Sequence, residues 1–412
     1  MALTARQEWR THWPLVLAAT LGVALGSIHV YSTGIFIEPL EREFGWSRAQ
    51  ISAGLSLVSV IGVFGAPLFG YLVNRLGSRR IALPGTVLLC ASIAALSLAT
   101  SSIWSWWGLW VLVAVSTLFM KPTVWSTAVS SVFNKSRGLA LAVVLSGTGL
   151  GSALTPIVSN YLIDQFGWRG AYLGLGLGAA VLVVPTMWFL FFDARDRQRL
   201  SPGGPQSTAA AMLTGWSMAE GFRARQFYQL WAAALITTLI VVGFVVHLVP
   251  LLGDAGISRA TAVSLAGMVG IMSIIGRLTV GYLMDRLPGP PVGTVSVSLP
   301  LVAALILLAF PGSVPAAVVA VAVLGLAVGG EYDAIIYLCS RFFGMRNFAA
   351  LFGWVASGLL AGMGLGPVLA GWIHDRWGSY EMFLIAVVPM GLLAGLMIAT
   401  LGKYPHHGER PD

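Results

Sequence analysis

The sequence predicts an all-α integral membrane protein: twelve transmembrane helices in two pseudo-symmetric six-helix bundles, each made of two inverted three-helix repeats. Three observations predict it. Charged residues are scarce, the apolar residues fall into runs of spanning length, and the chain repeats itself at two fixed offsets.

Of 412 residues, 57% are hydrophobic and 10% are charged, against roughly 25% charged in soluble domains. So few charges cannot cover a soluble surface of this size, which excludes a soluble enzyme. The two cysteines, Cys90 and Cys339, sit inside apolar runs and offer no disulfide framework. The net charge of +8 is spread among apolar segments and forms no stripe that could track phosphates, so no nucleic acid partner is expected. The first apolar run begins at Trp13 and is too long for a cleavable signal.

A spanning helix needs about 20 apolar residues. The runs are 13–37, 49–73, 81–98, 106–132, 138–163, 171–192, 230–252, 260–283, 292–310, 314–342, 348–373 and 383–401. They divide the chain into an N-terminal six-helix bundle (1–193), a cytoplasmic linker (194–226) and a C-terminal six-helix bundle (227–412). Within the linker, 216–227 has helical spacing of apolar residues and is expected to lie on the membrane surface.

Twelve spans place both termini on one side. With that side cytoplasmic, the inner segments hold 17 of the 24 Lys and Arg residues and the outer segments five, a strong positive-inside bias. The two left over, Lys121 and Arg277, fall inside spans.

The repeats come next. Ser47–Arg48 matches Ser258–Arg259, GYLVNRLG at 70–77 matches GYLMDRLP at 281–288, Pro156 matches Pro367, and DQFG at 164–167 matches DRWG at 375–378, all 211 residues apart. Asn74 to Asp164 and Asp285 to Asp375 are both 90 residues apart. Each half therefore reads as two three-helix units, the second inverted because three is odd. That is the build of a rocking secondary transporter with its site near the midplane between halves.

The loop GYLVNRLGSRR resembles the signature G-x-L-x-D-R-x-G-x-R-R of the major facilitator superfamily, and the resemblance covers essentially the whole chain. YSTGIFIEPLEREFGWSRAQIS, FVVHLVPLLGDAGIS and IIGRLTVGYLMDR resemble the monocarboxylate-transporter branch, which includes bacterial lactate and oxalate carriers. The resemblance implies a monomeric carrier in a bacterial inner membrane with a small carboxylate and H+ as its partners. It implies gating loops at Gly70, Asn74, Arg75, Gly77 and Arg79 and at Asp285 and Arg286. Their arginines would meet helix C-termini and a carboxylate, with Asn74 standing where the family has aspartate.

Ionisable residues inside spans cost roughly 2.5 kcal/mol or more and are functional candidates. Here they are Lys121, Arg277, Glu331 and Asp333, two of each sign. The 211-residue offset sets Arg277 opposite Ala66 and Tyr332 opposite Lys121, so symmetry of the scaffold does not call for Arg277's charge. In the resembling branch an arginine at this position grips the substrate carboxylate, and a guanidinium suits that role through its planar fork of donors. The bland alternative is a permanent ion pair with Asp333 or Glu331. Lys121 is read either as a second substrate cation or as an ion-pair partner facing Glu331 and Asp333 across the cavity, and Pro122 loosens its helix.

The chain departs from the branch in three places. Ser273 stands where many members carry aspartate, Val30 (beside His29) is near the usual first-span lysine, and 348–373 contains no lysine. Glu331 and Asp333 are therefore the expected proton-handling groups. His247 matches a pocket histidine of the branch, although a lone histidine on an apolar helix more often donates to a carbonyl. Tyr31, Trp125, Tyr332, Tyr337 and Trp354 are candidates for an aromatic wall, Tyr332 first among them.

GTGLG at 147–151 imitates a dinucleotide loop but follows no strand, and its small residues are expected to serve helix packing. No P-loop, cofactor motif or metal cluster appears, so transport is expected to run on a gradient or by exchange. The expected function is proton-coupled monocarboxylate symport by alternating access. A carboxylate exchanger clamping its substrate with Lys121 and Arg277 is the main rival, ahead of a proton/drug antiporter and a transporter-like sensor.

Overall fold

The computed structural model describes residues 4–133 (side chains at 66, 67, 70 and 74 excepted), 135–193 (137 and 138 excepted), 215–344 and 347–405 (349 excepted). Among these the secondary structure is helical, with one isolated bridge between Gly215 and Gly344. The chain forms two compact units, Met1–Gln206 and Ser207–Asp412.

The N half contains α1 (Ala5–Phe44), α2 (Arg48–Leu76), α3 (Ser78–Ala95), α4 (Ile103–Leu118), α5 (Pro122–Ser130), α6 (Arg137–Leu145) and α7 (Gly147–Leu190). In the C half are a short α8 (Met218–Arg223), α9 (Arg225–Asp254), α10 (Arg259–Arg286), α11 (Gly289–Ala309), α12 (Val314–Phe343), α13 (Phe348–Trp377) and α14 (Glu381–Ala399). Among the described residues, eleven segments are long and apolar enough to cross a membrane. The longest, 139–190, is interrupted at Gly167 (φ 66°, ψ 174°), a backbone conformation that favours glycine. Divided there, the segments make six apolar spans in each half.

Two expected spans differ in detail. The run 106–132 is not one helix: α4 stops at Leu118 and α5 starts at Pro122, with Lys121 extended at φ −60°, ψ 148°. Proline is well placed as the first residue of a helix but breaks one that tries to run through it. The run 138–163 is likewise interrupted, at Ser146 between α6 and α7.

The 211-residue repeat has a packing basis. A methyl group built on Gly147 would strike the Thr20 carbonyl of α1, and one on Gly151 would meet the Ala24 carbonyl. In the C half, Gly358 meets the Trp231 carbonyl and Gly362 the Leu235 carbonyl of α9. Every member of the second set lies 211 residues beyond its counterpart. GTGLG is thus a helix-packing stripe, the use small residues have inside membranes. Ser47 and Ser258 recur for another local reason: each caps the helix that follows it, accepting from the backbone N–H of Gln50 and Thr261.

The linker's last part docks on the C half. Trp216 N–H donates to the Phe343 carbonyl at 2.9 Å, Gly221 lies under Leu351, and Phe222 packs edge-on against Phe227.

Candidate functional site

On α10, Val269, Ser273 and Arg277 follow one another at four-residue steps, and on α12 Gly325, Gly329 and Asp333 do the same. A methyl group on Gly325 would lie 3.0 Å from the Val269 carbonyl, and one on Gly329 would run into the Ser273 carbonyl, 2.8 Å from Arg277 N. Gly276 answers from α10, where a methyl group would strike the Leu326 carbonyl. This small-residue face lets the two backbones touch. One turn further along, the same face carries Arg277 and Asp333.

Arg277 Nε lies 3.4 Å from Asp333 Oδ2, with 15% and 25% of the side chains exposed. The contact is single and lacks hydrogen-bond geometry. Among the described residues the guanidinium makes no protein hydrogen bond, so its fork of donors is open to a second oxygen ligand. Glu331 is different. It is 7% exposed and its Oε2 has no partner among the described residues. The Ser296 hydroxyl of α11, also buried and unpartnered, lies beside Gly330. A neutral carboxyl tolerates such a setting far better than an ionised one.

Tyr332 packs on the apolar cluster that contains Leu230, Ile335 and Val355 and stays within electrostatic range of Asp333 and Arg277. His247 is fully buried, its Nδ1 2.7 Å from the Tyr380 hydroxyl and its Nε2 2.8 Å from the Pro367 carbonyl. The carbonyl can only accept, so Nε2 carries the proton and Tyr380 donates to Nδ1. That ties α9 to α13 and α14. Tyr337 packs on Val280 and Met284, and Trp354 is 56% exposed with its ring edge-on to Phe222.

In the N half, the break between α4 and α5 exposes the Met120 carbonyl, which accepts from Trp125 Nε1 at 3.1 Å. Trp125 is fully buried against Gly22 and Phe191. Lys121 is half-buried, and among the described residues of its half no carboxylate pairs with it. Tyr31 is half-buried on α1.

At the loop signature, Gly77 has φ 92° and joins α2 to α3. Arg79 donates to the carbonyls of Phe191 (3.0 Å) and Trp188 (2.6 Å) at the end of α7, and stacks 3.5 Å above the Phe192 ring. Asp193 accepts from Ser78 N–H at 3.2 Å. Arg75 is exposed, while Gly70 and the Asn74 side chain lie outside the described residues. Asp285 and Arg286 are exposed, the guanidinium resting 4.3 Å over the Tyr282 ring.

The structure thus brings Arg277 and Asp333 into contact, buries Glu331 two residues earlier on α12, and holds His247 in a separate cluster. Sequence reasoning had no argument for Ser296 or Tyr380, whose parts depend on which helices neighbour one another. Twelve apolar helical spans in two matching halves, with a paired arginine and an unpaired acid inside one of them, define a membrane transporter rather than an enzyme. The description Major Facilitator Superfamily matches residues 19–350, and the chain belongs to that family. It is 26% identical over 390 residues to monocarboxylate transporter 13 of Rattus norvegicus, covering 93% of this chain and 87% of the relative. It is 24% identical over 396 residues to a gallate transporter of Pseudomonas putida, covering 87% of each. Among solved structures, a bacterial homologue of the human lysosomal transporter Spinster in an inward-facing, unoccupied conformation superposes with a TM-score of 0.68 at 18% identity, covering 94% of this chain and 93% of that one. This last similarity speaks for the fold alone.

Proposed function

We propose that this protein is a secondary transporter of small organic carboxylates, coupling their movement to protons in symport by alternating access. The observation that carries the reading is the divided labour of the C-half charges. Asp333 is a counter-ion with a single long contact, which a substrate carboxylate can replace by taking the guanidinium bidentately. Glu331 pairs with no cation among the described residues and is the group to carry the proton. With a carboxylate on Arg277 and one proton taken up by Glu331 or Asp333, the loaded site gains no net charge. The names of the relatives support the substrate class, one monocarboxylate and one aromatic acid. The Lys and Arg distribution supports an inner-membrane carrier with both termini cytoplasmic.

Counterflow of a labelled carboxylate in proteoliposomes tests the first part: Arg277→Ala and Arg277→Lys should both lose exchange, and normal exchange in both would refute it. For coupling, Glu331→Gln should abolish accumulation driven by a pH gradient while sparing exchange. A second reading, carboxylate exchange with Lys121 and Arg277 as clamps, draws on the lack, among the described residues of its half, of a carboxylate paired with Lys121. A strict need for counter-substrate, indifferent to pH, would favour it.

A further inference from the structure

The N half holds a group of polar side chains that the reading above does not use. On α1, Gly26 and His29 share a face, and Gly26 lies against Met120, a methyl group there being 3.7 Å from both the Met120 Cβ and its carbonyl oxygen. His29 therefore sits beside the break that ends α4, within electrostatic range of Lys121. It is 93% buried by its 7% exposure, and neither ring nitrogen makes a hydrogen bond among the described residues; the Gly26 carbonyl is near it but out of hydrogen-bond geometry. On α4, Trp110 is 1% exposed, meets the His29 ring edge-on at 6.4 Å, and has an indole N–H that is also unpartnered. Lys121 adds an ammonium group with no carboxylate partner among the described residues of its half.

Taken together these side chains offer an ammonium, an indole N–H and an imidazole, with no acid among them. Buried donors left without partners cost about 1–3 kcal/mol each, and apolar substitutes of similar shape would avoid that cost. A cluster of unmatched donors suits oxygen acceptors, above all anionic ones, because among the described residues of its half no carboxylate pairs with Lys121. A carboxylate would accept from Lys121 and from ring N–H groups. A hydroxyl would accept from Lys121 and donate to the free imidazole nitrogen.

We infer that His29 and Lys121, with Trp110 beside His29, form a donor-lined subsite in the N half that takes a second oxygen group, hydroxyl or carboxylate, of a carboxylate substrate. The inference rests on the carboxylate reading and narrows it to substrates with two polar ends.

The test is equilibrium binding to the purified full-length protein, comparing benzoate, 4-hydroxybenzoate and terephthalate, and likewise propionate, lactate and succinate. The wild type should bind one member with a second oxygen group at least about tenfold more tightly than its plain counterpart. Whether the hydroxyl or the dicarboxylate member gains identifies which oxygen group is taken. In His29→Leu and Lys121→Met the ratio should fall to near one, whereas His29→Gln, which keeps a donor and an acceptor, should retain part of it. The ligand-free melting temperature of His29→Leu should rise, since the substitution removes unpartnered polar atoms; a histidine held for structure would lower it. A ratio unchanged in both variants, or no preference in the wild type, overturns the inference while leaving the carboxylate reading intact. Failure to bind any of the six compounds overturns both.

Discussion

At positions 211 residues apart, the two halves keep contacts between the same helices while the side chains that make them, and in places their partners, differ. Ser78 N–H at the start of α3 donates to the Asp193 carboxylate; Gly289 N–H at the start of α11 donates to the Tyr404 hydroxyl. Glu43 at the end of α1 pairs with Arg169 and accepts from Trp168, whereas Asp254 at the end of α9 lies 3.0 Å from His374. Phe36 stacks on Tyr172 where His247 bonds Tyr380. The scaffold is shared and its chemistry has diverged. Inside the membrane the divergence is greatest: span four breaks at Lys121, which pairs with no acid among the described residues of its half, while α12 runs unbroken through Glu331 and Asp333. The lesson is that a duplicated fold asks for helix contacts at fixed places and leaves the buried charges of each half to be set separately.

The largest expected effect falls on the C half. Arg277→Ala removes a charge-assisted ligand worth about 3 kcal/mol, so carboxylate uptake should fall about a hundredfold; measured initial rates check this. Next is the helix contact that places the arginine. Gly329 occupies the position equivalent to Leu118 of the N half, and Leu118 packs over Gly65. Gly329→Leu would copy the N-half arrangement into a face where the Ser273 carbonyl already fills the space. It should cost about 1–3 kcal/mol of stability or more, visible as a lower melting temperature together with lost uptake. Leu118→Ala, which opens a gap beside Gly65, should cost about 2–5 kcal/mol and alter carboxylate uptake less, since the face it loosens carries no Arg277.

Smaller effects sharpen the comparison further. Pro122→Ala should let α4 continue into α5, making span four resemble α12. We expect a few-fold change in carboxylate affinity with the fold retained, checked by binding and by circular dichroism. Smallest of all, Glu43→Gln weakens a partly exposed ion pair and should cost less than about 1 kcal/mol, a shift of a few degrees at most in thermal melting.

Much of this architecture is legible in the sequence because a bilayer imposes strict demands. Every span must be apolar for about 20 residues and must satisfy its own backbone, so 13–37 and 230–252 announce themselves. The repeat is legible because glycine at 147 and 358 answers a backbone contact that tolerates nothing larger. Pro122 marked the weak point of span four, although the extended Lys121 needed coordinates. The pairing of Arg277 with Asp333 was one of two partners the sequence allowed, and the choice depends on the register between α10 and α12. The unpartnered nitrogens of His29 were not legible at all. Burial and hydrogen bonding are properties of neighbours on other helices, which the order of residues along α1 does not name.

The central claim is that Arg277 binds substrate and does not merely neutralise Asp333. The most direct test is carboxylate counterflow by the doubly neutral variant Arg277→Leu/Asp333→Leu. If the arginine were only a counter-ion, removing both charges would spare the fold and the exchange, because isosteric apolar replacement of a buried pair is often neutral. The account predicts a protein that melts near the wild-type temperature and exchanges no carboxylate. Wild-type counterflow from that variant would contradict it.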